Sequence, residues 1–247
     1  MHPTDGSLVF YLFAILASLI IGVAKAGVPG LGVLAVPIMA WLFGSKVSVG
    51  VILPLLIFAD ICAVFLYRKN AQWNKILELF PSVGVGMIVA FYIYKLIPEN
   101  FYSPLLGGLI IALLVFDFLK QRYKWEKLPE NKIYIFIIGF LAGFATTMGN
   151  AAGPIMSIYL ISCGLEKKEF MGTGAWYFLI INSLKVPYFF YVGSISSVSL
   201  SFNVMMFPAI LVGVWLGATI FKKLNQKVFQ WVVLTLAFLS ALLLCFK

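Results

Sequence analysis

Charge is scarce in this chain. Only 11% of its 247 residues are Asp, Glu, Lys or Arg, against about 25% in an ordinary soluble domain. Acid is scarcer still, with 9 Asp and Glu against 18 Lys and Arg. So few charged groups cannot cover a chain that is 62% hydrophobic. That excludes a soluble fold and predicts an all-α polytopic membrane protein, since helices satisfy their own backbone in hydrocarbon. Histidine occurs once, as His2, and the three cysteines, Cys62, Cys163 and Cys245, lie far apart in or beside apolar stretches. No metal set and no disulfide framework has that spacing, and each cysteine reads as a small buried hydrophobe. No Ser/His/Asp set is present and no Gly-Lys-Ser/Thr follows the glycine runs. An enzyme and a phosphate loop therefore have little to stand on, and no cofactor is expected.

What the chain does contain is apolar segments, at approximately Leu8–Ala26, Leu31–Phe43, Val47–Tyr67, Ile76–Tyr94, Phe101–Leu119, Ile133–Thr146, Ala151–Ser162, Phe170–Val192, Phe202–Phe221 and Val228–Phe246. Most reach the roughly 20 residues of a membrane span. The stretch between Lys132 and Glu166 is too short for two such spans. It predicts a hairpin of two short helices with its tip at Thr146–Asn150, inside the bilayer. The first run is not expected to be a cleavable signal peptide, because no positive charge precedes it and no small-residue cleavage site follows.

The stretch Gly27-Val28-Pro29-Gly30-Leu31-Gly32 interrupts the first run. Glycine and proline at this density cannot continue a helix. A break within hydrocarbon frees backbone groups, tolerable only if they are buried in protein or face a cavity. The chain makes this element twice. Shifted by 117, Gly22, Gly32, Pro37, Ile38 and Met39 fall on Gly139, Gly149, Pro154, Ile155 and Met156. Paired breaks in corresponding places of two halves are a pointer to a transport site.

With the N-terminus placed outside the cytoplasm and the segments alternating, every Lys and Arg except Lys46, Lys95, Lys247 and the intramembrane Lys185 falls on the inner side. This positive-inside bias places both termini outside and the Lys120–Lys132 loop inside. It also accounts for the net charge of +9 without a nucleic-acid partner. Five segments per half is an odd number, so the second half runs inverted. The expected organisation is an inverted-topology repeat, 1–124 and 125–247, each half with a broken or re-entrant hairpin carrying a Gly/Pro motif.

The pattern Gly22…Gly27-Val-Pro-Gly-Leu-Gly32…Pro37, repeated as Gly139…Gly149-Asn-Ala-Ala-Gly-Pro154, resembles the paired motifs of the TauE/SafE family of membrane permeases. Each motif is followed by a Gly- and polar-marked helix, Gly50–Tyr67 and Gly172–Tyr191. The second copy departs from glycine-richer versions at Thr146-Thr147-Met148. The resemblance implies a secondary transporter in the cell membrane that exports a small sulfur-containing anion such as sulfite or an organosulfonate. An accessory subunit or membrane-embedded enzyme is the alternative, and a homo-oligomer is left open.

The residues themselves place the chemistry. Helix N-termini at each tip offer unpaired amides to a small oxyanion. Gly30, Gly32, Gly149, Thr146, Thr147 and Asn150 are candidate substrate contacts, with satisfaction of the freed backbone as the competing role. Lys25 is the only charge beside either break. Either it binds the anion or it snorkels to the headgroups. Asp60 lies deep in its segment and, shifted by 122, corresponds to Asn182. A carboxylate matched to an amide in the other half is expected to be a proton-coupling site, or else a structural hydrogen bond. Lys185 sits three residues past Asn182 and is expected to snorkel outward rather than pair. Gly139-xxx-Gly143 and Gly213-xxx-Gly217 read as close helix contacts.

Overall fold

A computed structural model of the chain describes residues 8–96, 98, 101 and 131–245. Past its first residue, the segment expected over Phe101–Leu119 lies outside the described residues, as do the joining loop up to residue 130 and both chain ends. The elements are α1 (Leu8–Ala26), a 3₁₀ turn (Leu31–Leu34), α2 (Ala35–Phe43), α3 (Ser45–Tyr67), α4 (Trp73–Leu96), α5 (Lys132–Gly149), α6 (Ala152–Ser162), α7 (Lys167–Tyr191), α8 (Ser197–Lys223) and α9 (Gln226–Cys245). No strand occurs among the described residues. Five helices, α1, α3, α4, α5 and α8, are long and apolar enough to cross a membrane. Large apolar side chains such as Phe65, Trp215 and Trp231 stand on the outside of the bundle, where only lipid makes their exposure favourable. The 25-residue α7 is not one of the five. It carries the buried Thr173, Asn182 and Lys185, so its polarity faces the protein interior.

Side chains set the helix starts. Asn131 accepts hydrogen bonds from the amides of Ile133 and Tyr134 at the head of α5. Glu166 with Glu169, and Ser196 with Ser199, form reciprocal capping boxes on α7 and α8. Pro37 and Pro154 both stand third in a short helix, α2 and α6. In the first turn an amide has no intrahelical partner, so proline loses nothing there.

The second break differs from expectation. α5 runs on to Gly149 and is 18 residues long, about 27 Å at 1.5 Å per residue, rather than a short arm ending at Thr146. Thr146, Thr147 and Gly149 therefore belong to its last turn, and Asn150 and Ala151 form the break. A long helix meets a short one at each break: 19 residues against 9 for α1 and α2, and 18 against 11 for α5 and α6.

Two large apolar cores form among the described residues, beside a small one at Ala63, Val64 and Ala175. One gathers Phe10, Ile21, Met39 and Ile210 from α1, α2 and α8 with Leu55 and Ala59 of α3. The other gathers Leu79, Ile138, Ile155 and Tyr177 from α4 to α7 with Val49 and Leu53 of α3. α3 thus belongs to both, and it packs along α7. Cys62 and Cys163 are only half-buried, not fully buried as expected.

Close approach depends on glycine. A methyl on Gly213 would collide with the Leu19 carbonyl of α1, and one on Gly217 would sit 2.6 Å from the Val23 carbonyl. Gly139 and Gly143 press in the same way on Ser82 and Val83 of α4. Gly213→Leu or Gly217→Leu should therefore force α1 from α8 and cost at least about 1–3 kcal/mol. Gly84, in α4, has nothing within 4 Å of the added atom. Gly84→Ala should be neutral or gain up to about 1 kcal/mol from helix propensity. Thermal unfolding of detergent-purified protein reads the difference, and equal midpoints for the three variants would remove the close-packing account.

Candidate functional site

At the first break the freed backbone is taken up locally. The Val23 carbonyl accepts from the amides of Gly27 and Val28, at 2.9 and 3.1 Å. The Tyr67 hydroxyl of α3 donates to the Ala26 carbonyl at 2.6 Å. Gly30 turns the chain at φ 99°, a conformation that glycine reaches without steric cost.

Lys25 lies in the last turn of α1, where the carbonyl end of the helix dipole favours a cation. Its ammonium does not reach for the headgroups. It lies 2.7 Å from Asp60 Oδ1 and 4.0 Å from the centre of the Phe178 ring. Asp60, on α3, has no solvent exposure, and Asn182 of α7 donates to its Oδ2 at 2.7 Å. The two residues matched by the 122-residue shift are thus in direct contact. Lys25 faces one carboxylate oxygen and Asn182 donates to the other. Charge pairing and a hydrogen bond together offset a desolvation penalty of several kcal/mol per ion.

At the second break Asn150 adopts the left-handed conformation, φ 54°, the one non-glycine residue to do so among the described residues. Asparagine tolerates this better than most side chains. Its amide nitrogen donates to the Val49 carbonyl of α3 at 3.0 Å. Its oxygen accepts from Lys185 Nζ at 2.6 Å. Lys185 also donates to the Thr146 carbonyl and to Thr146 Oγ1, both at 3.0 Å, and is fully buried. The expectation that Lys185 snorkels outward is wrong. Facing inward, it finds two side-chain oxygens and a carbonyl that also accepts from the Asn150 amide, so it has three partners without leaving the protein.

A cavity of about 80 Å³ opens between the two breaks, large enough for a small anion and well short of the roughly 300 Å³ of cofactor-sized sites. Lys25, Gly30, Gly32, Thr146, Asn150 and Asn182 line it. Two candidates do not come to it. Thr147 is buried with its hydroxyl donating to the Gly143 carbonyl at 2.9 Å, and Gly149 is buried in the last turn of α5. Both follow from α5 continuing past Thr146. Asp60 stands behind Lys25 and Asn182 rather than on the cavity wall. Sequence reasoning missed Ser157 and Phe178, which do line it. The available signal was spacing: Ser157 is one helical turn from Gly153 of the second motif, on the same face.

Among the described residues no three His, Cys, Asp or Glu side chains come together. No curated protein and no solved structure matches the chain. A model of the sulfite exporter TauE/SafE family matches residues 14–244, which takes in both breaks, the Lys25–Asp60 pair and the cavity between them. The chain is therefore a member of the TauE/SafE family of membrane transport proteins, whose name is that of sulfite exporters.

Proposed function

We propose that this protein is a secondary transporter that exports a small sulfur-containing anion, sulfite or an organosulfonate, with its movement coupled to that of protons. The observation that carries this reading is the Lys25–Asp60 ion pair beside the cavity. Among the described residues Lys25 is the one charged side chain on the cavity wall, and at 15% exposure it remains open to that side. An anion entering there competes with Asp60 for the same ammonium. Displaced from Lys25 and still buried, Asp60 is stabilised by taking up a proton. Anion and proton are then linked through one lysine.

Alternating access around the paired breaks follows from reading 1–124 and 125–247 as inverted repeats, each able to rock against the other. α3 and α7 contact one another at the site, one from each half. In that scheme both termini lie outside the cytoplasm and the joining loop inside. The transporter family and the cavity's size favour transport over the enzyme alternative.

Protonating Asp60 frees Lys25, so anion binding should strengthen as pH falls. Asp60→Asn leaves Lys25 without its competitor. This variant should bind sulfite at least as tightly as wild type, with the pH dependence gone and proton-driven flux abolished in proteoliposomes. Undiminished flux with the wild-type pH profile would sink the coupling role.

Lys25→Gln alone strands a buried carboxylate and should destabilise the protein by about 3–5 kcal/mol. The double variant Lys25→Gln, Asp60→Asn removes both charges and should recover most of that stability but none of the sulfite binding. Lys25→Arg should restore binding only in part, because the guanidinium is larger and planar. Wild-type affinity in the double variant would leave the site to backbone amides alone.

Topology is checked with reporter fusions at Lys124 and at the C-terminus. The inverted scheme requires the first in the cytoplasm and the second outside. A cytoplasmic C-terminus contradicts it.

A further inference from the structure

We infer that Ser157, with the first turn of α6, grips the oxyanion end of the substrate and sets a preference for three-oxygen sulfur headgroups over two-oxygen carboxylates. The inference deepens the transport reading above and rests on it.

Ser157 is 98% buried, at 2% relative exposure, yet it lines the cavity. Several other hydroxyls on these helices turn back on their own backbone. Ser18, Thr147, Ser183, Ser201 and Thr219 each donate to the carbonyl four residues earlier. Ser162, on the same helix as Ser157, donates to the Tyr159 carbonyl at 2.8 Å. Ser157 makes no hydrogen bond to any described residue. A buried hydroxyl left unpaired is costly unless something in the cavity supplies its partner.

Its surroundings point to what that partner is. Gly153, one turn earlier on the same face of α6, also lines the cavity. An added methyl there would have nothing within 4 Å, so the space beside the helix start is open. The first-turn amides of α6 have no intrahelical partner, no side chain caps them, and Pro154 offers none of its own. They carry the positive end of the helix dipole. Lys25 lines the same cavity.

Donors thus reach the cavity from Lys25, from the head of α6 and from Ser157. A pyramidal sulfite or sulfonate group presents three oxygens in a tripod and can answer all three. A carboxylate presents two oxygens in a plane and leaves one donor unpaired, which the site penalises more than it penalises a small change in size.

Ethanesulfonate and propionate carry the same ethyl group and differ only in the headgroup, so they form the test pair, with sulfite as a third probe. Binding to the purified full-length chain in detergent is measured by titration calorimetry. Wild type should prefer ethanesulfonate. Ser157→Ala should keep the wild-type unfolding midpoint and lose roughly tenfold in affinity for sulfite and ethanesulfonate. It should lose little for propionate, so that the ratio collapses. A folded Ser157→Ala protein with the wild-type ratio overturns the role of Ser157, the hydroxyl then being satisfied by water alone, and leaves the transport reading standing. Failure of wild type to bind any of the three overturns the transport reading itself, and this inference with it.

Discussion

A carboxylate with no access to solvent, in a chain suited to hydrocarbon, has to be matched by a cation, and at Asp60 the cation is Lys25. Much of the architecture follows from bringing these two groups together. α1 must end where its last turn can present Lys25, so the chain breaks directly afterwards at Gly27–Gly32. α3 must pass close to that end, which it does by contributing to both apolar cores. The second carboxylate oxygen needs its own donor, so α7 packs along α3 and supplies Asn182. The penalty for burying an unmatched ion is large enough to discipline three helices at once.

The same accounting governs the breaks. Each interruption of a helix leaves carbonyls without partners, and in apolar surroundings they have to be found. Tyr67 serves the Ala26 carbonyl at the first break; at the second the Asn150 amide serves the Thr146 carbonyl, and Lys185 adds a further donor to it. Asn150 ties the second break to α3 through the Val49 carbonyl. Among the mostly apolar residues of the cavity wall stand Lys25, Ser157 and Gly153 at the head of α6. A pocket of that composition suits an anion, in keeping with a family of sulfite exporters. The polar side chains of α7 act on both sides of this arrangement, Asn182 toward Asp60 and Lys185 toward the second break. For that reason α7 is too polar to stand among the apolar spans despite its length.

Helices and breaks were legible in the sequence because both are local properties. Long apolar runs force backbone satisfaction within the segment, and the two Gly/Pro-marked motifs each interrupt it, at Gly27–Gly30 and at Asn150–Ala151. The contact between Asp60 and Asn182 was foreshadowed by their matching positions in the two halves. Gly213-xxx-Gly217 announced a close helix crossing, and Gly213 and Gly217 do press on the backbone of α1. What a single sequence cannot carry is the direction in which a long side chain turns. Lys25 and Lys185 each had a headgroup within plausible reach, and only the placement of Asp60, Thr146 and Asn150 decides that both ammoniums point inward. The end of α5 was decided in the same way. Thr146, Thr147 and Gly149 are tolerable in a helix or a turn, and packing against α4 extends the helix through them. Composition, periodicity and breaks are written along the chain and can be read there. Partner choice for a buried charge depends on distances between helices far apart in sequence, and those exist only once the bundle has packed.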